Sequence, residues 1–275
     1  MITDSFLPWT LDSANKFGIA RFDYDGMTTF SLSLMRSSGD LLRTELSDDE
    51  MFTIPEFPWI NLTRNNFDSP FREREPKCPF FDFAMEEAMA TSKSYGLIVN
   101  SIYELESVYV DYFNSKCSPR AWCIGPFCAA TEPQEPRQER LEKPSYIKWL
   151  DGMLEQVKSV LYVAFGTQAE IYPEQLKEIK IGLEKSEVNF LWIVRKSIDE
   201  VNDGFDNRVL GVRGIVKWEG LEKPIRELME GEKGKEVREK VKEIGEAATN
   251  AVKEGGSSWQ ALNDLILELT SRRNV

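Results

Sequence analysis

The chain has 275 residues, of which 41% are hydrophobic and 11% aromatic, so it holds enough apolar material for one large or two ordinary globular domains. Its 34 basic and 46 acidic residues give a formal net charge of -12 without a basic block, which argues against nucleic acid and anionic membrane surfaces as partners. Histidine does not occur, and this excludes a His-based catalytic dyad or triad and a His-ligated metal site.

Short β-rich runs alternate with amphipathic segments, which is typical of an α/β fold with parallel strands. In chain order the sequence predicts helix 10–17, strand 19–24, helix 81–93, strand 96–100, helix 104–114, strands 121–124 and 159–165, helix 173–185, strand 189–194 and helices 219–229, 233–254 and 257–270. The segment 52–79 contains five prolines and predicts a long ordered loop.

Two serines are candidate helix caps. Ser101 and Glu104 have the spacing of a capping box, in which the serine oxygen accepts a backbone N–H of the first helical turn. Ser257 follows Gly255 and Gly256 and is a candidate cap of the last helix.

The polar stretch 129–143 contains two prolines and no apolar periodicity, which predicts an interdomain linker. Separate sets of predicted strands and helices precede and follow it. We therefore expect an N-terminal domain at 1–128, a linker at 129–143 and a C-terminal domain at 144–275.

The four cysteines, Cys78, Cys117, Cys123 and Cys128, do not form a CxxC pair. Because the sequence shows no secretory signal, they predict reduced thiols in a cytoplasmic protein. No apolar run approaches the roughly 18 residues of a membrane span, so no such span is expected.

Five stretches of the chain, taken in order, resemble plant family-1 UDP-glycosyltransferases. They are YGLIVNSIYELE at 95–106, AWCIGPF at 121–127, SYIKWL at 145–150, the run from SVLYVAFGT to FLWIVRK at 159–196, and the terminal helices at 217–269 with their EGGSS motif. The resemblance implies an α/β, GT-B-like fold of two Rossmann-like parallel-sheet domains with a C-terminal helical segment. The N-terminal domain would be the acceptor side and the C-terminal domain the donor side.

The same resemblance implies a chemistry. Members of this family transfer a sugar, here expected to be glucose, from a UDP-sugar to the hydroxyl of a small-molecule acceptor with inversion. A histidine that is oriented by an aspartate takes the hydroxyl proton, and hydrogen-bond donors hold the leaving diphosphate. UDP-sugar is a co-substrate, so neither a cofactor nor a metal ion is expected.

Three residues match functional positions of the family. The stretch ITDSF at 2–6 resembles the motif of the orienting aspartate, which would be Asp4; alternatively, Asp4 caps the helix that begins near Trp9. Gly166 and Thr167 resemble the turn that contacts the donor diphosphate, since glycine permits close backbone approach and the threonine hydroxyl can donate. The alternative is an ordinary strand-to-helix turn that Thr167 caps.

The chain departs from the family pattern in two places. It starts at the aspartate motif, so the preceding βα units of the family, with the catalytic histidine, are expected to be missing. The donor-binding box with its uracil-stacking tryptophan also has no counterpart, and the join at Gly214 and Ile215 looks like an internal deletion. Trp218 lies after this join, where the sequence matches the terminal helices, and is not that tryptophan. Both domains are therefore expected to be incomplete.

Because the base and the donor box are lacking, we expect the chain itself to be inactive. The alternative is a non-catalytic fragment or pseudoenzyme that acts as a binding or interaction module, for example with a full-length homologue. A third interpretation is a small-molecule binding module, whose pocket would be lined by Phe80, Phe81, Phe83, Met85 and Met89. The alternative for these residues is packing in a helical core, which is the commoner arrangement.

Overall fold

The structure is a computed structural model that describes residues 1–45, 47–129, 143–166, 171–193 and 216–272. The chain divides into two compact units, Met1–Pro133 with Ile244–Val275, and Gln134–Glu243. The first unit therefore combines the N-terminal part of the chain with its last helix. Most of the predicted linker lies outside the described residues, so the predicted domain boundaries stay a prediction.

The described residues contain eight β-strands, which are β1 (Ile2–Asp4), β2 (Phe22–Asp25), β3 (Phe52–Ile54), β4 (Phe57–Leu62), β5 (Gly96–Val99), β6 (Ala121–Cys123), β7 (Leu161–Ala164) and β8 (Phe190–Ile193). They also contain nine α-helices, which are α1 (Thr10–Lys16), α2 (Thr29–Ser38), α3 (Pro79–Ser92), α4 (Tyr103–Lys116), α5 (Ser145–Glu155), α6 (Pro173–Ser186), α7 (Glu219–Glu230), α8 (Glu232–Ala251) and α9 (Ser257–Arg272). Every predicted strand and helix occurs with slightly shifted ends, whereas β1, β3, β4, α2 and α5 are additional. Within the described part of the chain, none of the helices combines the length and the apolar character needed to cross a bilayer.

The first unit is built on a parallel four-stranded sheet with the order β1-β2-β5-β6. Phe22 of β2 lies opposite Ile2 on one side and Gly96 on the other. Glycine is required there, because a Cβ would lie 2.8 Å from the Phe22 ring. Residues of α4 pack on one face of β5 and β6, and Leu265 of α9 packs against Trp122 on the other face. Both faces of the central strands are thus covered, as a parallel sheet requires.

β3 and β4 form an antiparallel hairpin within the segment 52–79, so the predicted loop is wrong for the first part of that segment. The prolines are compatible with the hairpin, because Pro55 lies in the turn and Pro58 lies in a two-stranded sheet whose strands each pair on one side. Ile54 and Phe57 are buried and pack against two tyrosines of α4. The hairpin is therefore a packed part of the first unit.

The two predicted serine caps are wrong. The cap residue of α4 is Ile102, which makes no side-chain cap bond, and Ser101 Oγ donates to the carboxylate of Glu106. Ser257 is the first residue of α9, and its Oγ donates to Glu104 at 2.8 Å. Both hydroxyl groups therefore bind carboxylates of α4 instead of backbone N–H groups.

Glu106 is a buried carboxylate that holds the start of α2. It is 4% exposed and accepts hydrogen bonds from Thr29 Oγ1 at 2.5 Å and from the Phe30 backbone N–H at 2.8 Å. A negative charge at this end of a helix is stabilised by the peptide dipoles. α2 contains four serines and has a weak intrinsic helix propensity, so its formation depends on this tertiary contact. Local sequence patterns do not reveal such a contact, and for this reason α2 was not predicted.

The second unit contains the two-stranded parallel sheet of β7 and β8 and the helix pair α6 and α7. Leu221 packs closely on Gly182, where a Cβ would lie 2.9 Å from the Leu221 Cβ. Trp218 donates its backbone N–H to Glu178 at 2.9 Å, and Lys185 Nζ lies 4.7 Å from its ring centroid. Trp218 is thus part of the packing of α7 on α6, which agrees with its assignment to the terminal-helix region.

We predict that Cys123 resists alkylation in the folded protein. Burial raises the pKa of its thiol to about 12, and the charge of Glu106 adds to the shift. At pH 8 iodoacetamide should modify Cys123 about a hundredfold more slowly than an ordinary thiol, because little thiolate is present. Mass spectrometry of the labelled peptides over time measures both Cys123 and the exposed Cys128. In 6 M guanidinium the two should react alike; equal rates in native buffer would contradict the prediction.

Candidate functional site

Asp4 ends β1 at the carboxyl edge of the first unit's sheet, the edge at which open α/β sheets bind ligands. Its side chain is exposed, and Oδ1 accepts the backbone N–H of Phe6 at 2.9 Å, which fixes the direction of the carboxylate. α1 begins at Thr10 with Trp9 as its cap residue and without a side-chain cap bond. Asp4 therefore does not cap that helix, and its carboxylate is accessible for a different contact.

A buried ion pair fixes the strand that carries Asp4. Arg21 Nη2 lies 2.8 Å from Asp23 Oδ1, and the two side chains are 1% and 0% exposed. Arg21 Nε donates to Thr3 Oγ1 at 2.9 Å and to Thr10 Oγ1 at 3.0 Å. Two further hydrogen bonds join the pair to the end of α3. The network ties β1 and α1 to β2, and through Thr3 it sets the position of Asp4.

Two further carboxyl groups, those of Asp25 at the end of β2 and Glu87 on α3, lie close enough to interact with Asp4. Burial raises the pKa of Asp25; the Met27 backbone N–H, which lies 2.8 Å from Oδ1, opposes the shift, and the charge of Asp4 adds to it. Burial likewise raises the pKa of Glu87, while a hydrogen bond from Ser5 opposes the shift. The carboxyl edge of this sheet therefore brings together three carboxyl groups, those of Asp4, Asp25 and Glu87.

Sequence reasoning did not identify Asp25 or Glu87. The available signal for Asp25 is an acidic residue before a glycine at the end of a predicted strand, whereas nothing in the local pattern distinguishes Glu87 from its exposed neighbour Glu86. These carboxylates do not amount to a cation site, since the described ranges contain no group of three or more cysteine, aspartate and glutamate residues placed to hold a metal ion.

Of the five apolar α3 residues that were expected to pack in a helical core, Phe81 and Phe83 are half-buried, whereas the expectation is wrong for Phe80, Met85 and Met89. Phe80, Met85 and Met89 are 54%, 42% and 53% exposed. Phe83 stacks on Phe6 with a distance of 6.2 Å between the ring centroids. This aromatic pair lies next to the carboxyl end of β1 and forms an apolar wall there.

Gly166 follows β7 in the second unit, at the predicted turn. Its φ of 71° lies in the region that favours glycine, and none of the described atoms lies within 4 Å of the position that a Cβ would take. A glycine, which lacks a Cβ, permits close approach of another group to the backbone in this conformation. Thr167 lies outside the described residues, as do the join at Gly214 and Ile215, so the predictions for these positions stay predictions.

No protein-family model matches the chain. The chain is similar to UDP-glycosyltransferase 90A1 of Arabidopsis thaliana, with 35% identity over 358 aligned positions that cover 100% of this chain and 73% of that protein. The alignment has 358 positions, yet this chain supplies only 275 residues. The relative therefore carries segments inside the match that have no counterpart here.

Solved structures share the fold. Glycyrrhiza uralensis UGT73P12, complexed with glycyrrhetinic acid 3-O-monoglucuronide, matches with a TM-score of 0.81 and 23% identity over 98% of this chain and 73% of that chain. Phytolacca americana UGT2, complexed with UDP-2fluoro-glucose and pterostilbene, matches with a TM-score of 0.76 and 21% identity over 98% and 76%. The predicted α/β fold with parallel sheets is confirmed by these matches.

We predict that Arg21→Ala lowers the free energy of unfolding of the first unit by about 3–5 kcal/mol, because it leaves Asp23 buried without its cation. Hydrogen exchange of peptides from β2, followed as a function of urea, measures this quantity. Arg43→Ala is the matched control, since Arg43 is exposed, and should change the free energy by less than about 0.5 kcal/mol. Equal effects of the two substitutions would show that the buried pair is not what fastens β1 and α1.

Proposed function

The chain belongs to the plant UDP-glycosyltransferase family, and on this premise we propose that it derives from enzymes that transfer glucose from UDP-glucose to a hydroxyl group of a small molecule with inversion. The alignment of the whole chain with the Arabidopsis relative at 35% identity is the observation that carries this proposal. In a GT-B-like fold residues 1–128 would form the acceptor side and residues 144–275 the donor side.

The reaction defines what the residues must do. The acceptor oxygen forms a bond to the anomeric carbon, the bond from that carbon to the diphosphate oxygen breaks, and its electron pair leaves with UDP. A base must take the proton of the acceptor hydroxyl, and donors must stabilise the charge that develops on the diphosphate. UDP-glucose is a co-substrate, and the steps as written need neither a cofactor nor a metal ion.

We assign two described residues to this chemistry. Asp4 would orient the base, a role supported by its exposed position at the carboxyl edge and by its hydrogen bond to the Phe6 backbone. Gly166 would let the donor diphosphate approach the turn after β7, a role supported by its positive φ, which favours a residue without a Cβ. Thr167 would donate its hydroxyl to a phosphate oxygen.

We propose that the polypeptide of these 275 residues does not complete the transfer. Its sequence contains no histidine, and the loss of a general base costs on the order of 10²–10⁴ in rate. The segments that the Arabidopsis relative carries inside the match are also lacking, and we place one of them at the donor box, between Gly214 and Ile215. Its loss would remove contacts to both the nucleotide and the leaving group.

A glycosylation assay tests this proposal. The purified 275-residue polypeptide, incubated with UDP-glucose and a panel of plant phenols, should form no glycoside above the level of the heat-denatured protein. Calorimetry should show weak or no binding of UDP. Glycoside formation by a preparation free of other transferases would overturn the assignment.

A chimera separates the donor deficit from the missing base. Insertion between Gly214 and Ile215 of the segment that the Arabidopsis relative carries at that point should restore calorimetric binding of UDP without restoring turnover. A Gly/Ser segment of equal length is the control and should not restore binding. If neither insertion changes UDP binding, the donor deficit lies elsewhere.

A second candidate function is association with a full-length relative in the cytoplasm. The sheet of β7 and β8 favours this function. Among the described residues, neither outer edge of this sheet pairs with another strand, and Tyr162 of β7 is 64% exposed. Open edges of this kind recruit further strands. Affinity purification of the tagged chain from plant cytosol should then yield a family member in stoichiometric amount, and its recovery should be lost when Tyr162 is replaced by lysine. Recovery of the chain alone would exclude this function.

A further inference from the structure

Helix α8 carries an apolar stripe on a part of its surface that is otherwise charged. Residues 235–246 are all exposed. Val237, Val241 and Ile244 are 46%, 63% and 43% exposed, and their spacing of four and then three residues places them on one face of the helix. A helix that is solvated all round is normally polar all round. Three branched apolar side chains in line instead indicate a surface on which a second helix packs.

The stripe has the spacing of helices that pair along their length. The alternation of four and three residues continues from Ile244 to Ala248 and Ala251, so the apolar positions repeat every seven residues. Such a repeat keeps the apolar side chains on the line that faces a neighbouring helix. The repeat therefore points to an α-helix as the occupant, and the side chains beside the stripe determine which helix fits.

The basic side chains beside the stripe are engaged within their own chain. Lys240 Nζ lies 2.6 Å from Glu243 Oε2 and forms an ion pair with it. Arg238 Nη1 donates to the Leu228 carbonyl oxygen, near the end of α7, at 3.1 Å. The surface therefore does not need an acidic partner to balance these cations, and a second α8 can approach it.

We propose that α8 binds α8 of a second copy of this chain, with the two helices antiparallel and related by a two-fold axis. Val241 of one copy then packs on Ile244 of the other, and Val237 packs on Ala248. The contact is isologous, so each of these pairs occurs twice and one stripe covers the other. Burial of the exposed valine and isoleucine side chains drives the association.

The residues that flank the stripe favour the antiparallel direction. In this register Arg238 of one copy faces Gly245 of the other, and Lys240 faces Ala247. Each long basic side chain meets a residue with a small side chain or none, so like charges do not oppose each other and the methylene stems lie along the stripe. A parallel pair would bring Lys233 of one copy to Arg238 of the other, and these two cations repel each other.

Sedimentation velocity of the full chain tests the pairing. Because the exposed part of the helix spans only about 18 Å, the contact is small and the association is expected to be weak. Between about 1 μM and about 200 μM the weight-average mass should rise toward twice the mass of one chain. A constant monomer mass over this range would overturn the proposal.

Substitution of the stripe identifies the surface. Val241→Lys places a charge in the proposed contact, and because Val241 is exposed the fold should be retained. This variant should keep the monomer mass at every concentration. Leu154→Lys is the matched control, since it makes the same kind of change at an exposed apolar residue of α5 and should leave the association unchanged. Equal association of the two variants would show that the stripe is not the contact.

Disulfide formation on mixing tests the direction. A Lys240→Cys chain mixed with an Ala247→Cys chain under mild oxidation should give a crosslinked dimer on a non-reducing gel, above the background of the unchanged chain. Lys233→Cys mixed with Arg238→Cys, a pair that only parallel helices bring together, should not. A crosslink in the second mixture, or in neither mixture, would overturn the antiparallel arrangement.

Discussion

The ion pair between Arg21 and Asp23 is the interaction on which the first unit most depends. β1 has three residues, and its Ile2 is 66% exposed, so apolar burial alone does not fix this strand. The guanidinium instead binds hydroxyl groups from β1, α1 and the end of α3 while it neutralises a carboxylate of β2. A buried pair of this kind is stabilising only when its remaining donors and acceptors are satisfied, and here each element that it fastens supplies one of the partners.

The alternation of β-rich and amphipathic runs was sufficient to predict the α/β class and all the central elements, because those elements bury side chains with a regular period. It was not sufficient for α2, whose start is held by Glu106 from a helix more than seventy residues away in sequence. It also did not identify the hairpin of β3 and β4. Pro55 and Pro58 argue against a regular strand in the sequence, and the alternation of buried residues around Ile54 is short. For α2 the missing information is a contact between distant parts of the chain, whereas for the hairpin it is how the strands accommodate their prolines.

For the candidate site, the sequence was sufficient to identify candidate residues, but it did not reveal the burial and the neighbouring charges of their side chains. Asp4 and Gly166 were found because their neighbours resemble family motifs, and the hydrogen bond of Asp4 to the Phe6 backbone shows how such a motif directs a carboxylate. The acidity of the edge around Asp4 could not be foreseen, because Asp25 and Glu87 come from separate elements and acquire raised pKa values only when the fold buries them. Local patterns also placed Phe80, Met85 and Met89 of α3 in the core, although these three side chains are exposed.

The contacts that hold the described parts together are mostly independent of those that a sugar transfer would need. Glu106 anchors α2, Gly182 receives Leu221, and the Arg21 pair fastens β1, yet none of these contacts involves a base or a diphosphate. A chain that lacked a base and a donor-binding segment would therefore still keep much of the internal packing of each unit. This is why a match over the whole chain establishes the family, whereas activity depends on groups that contribute little to the fold.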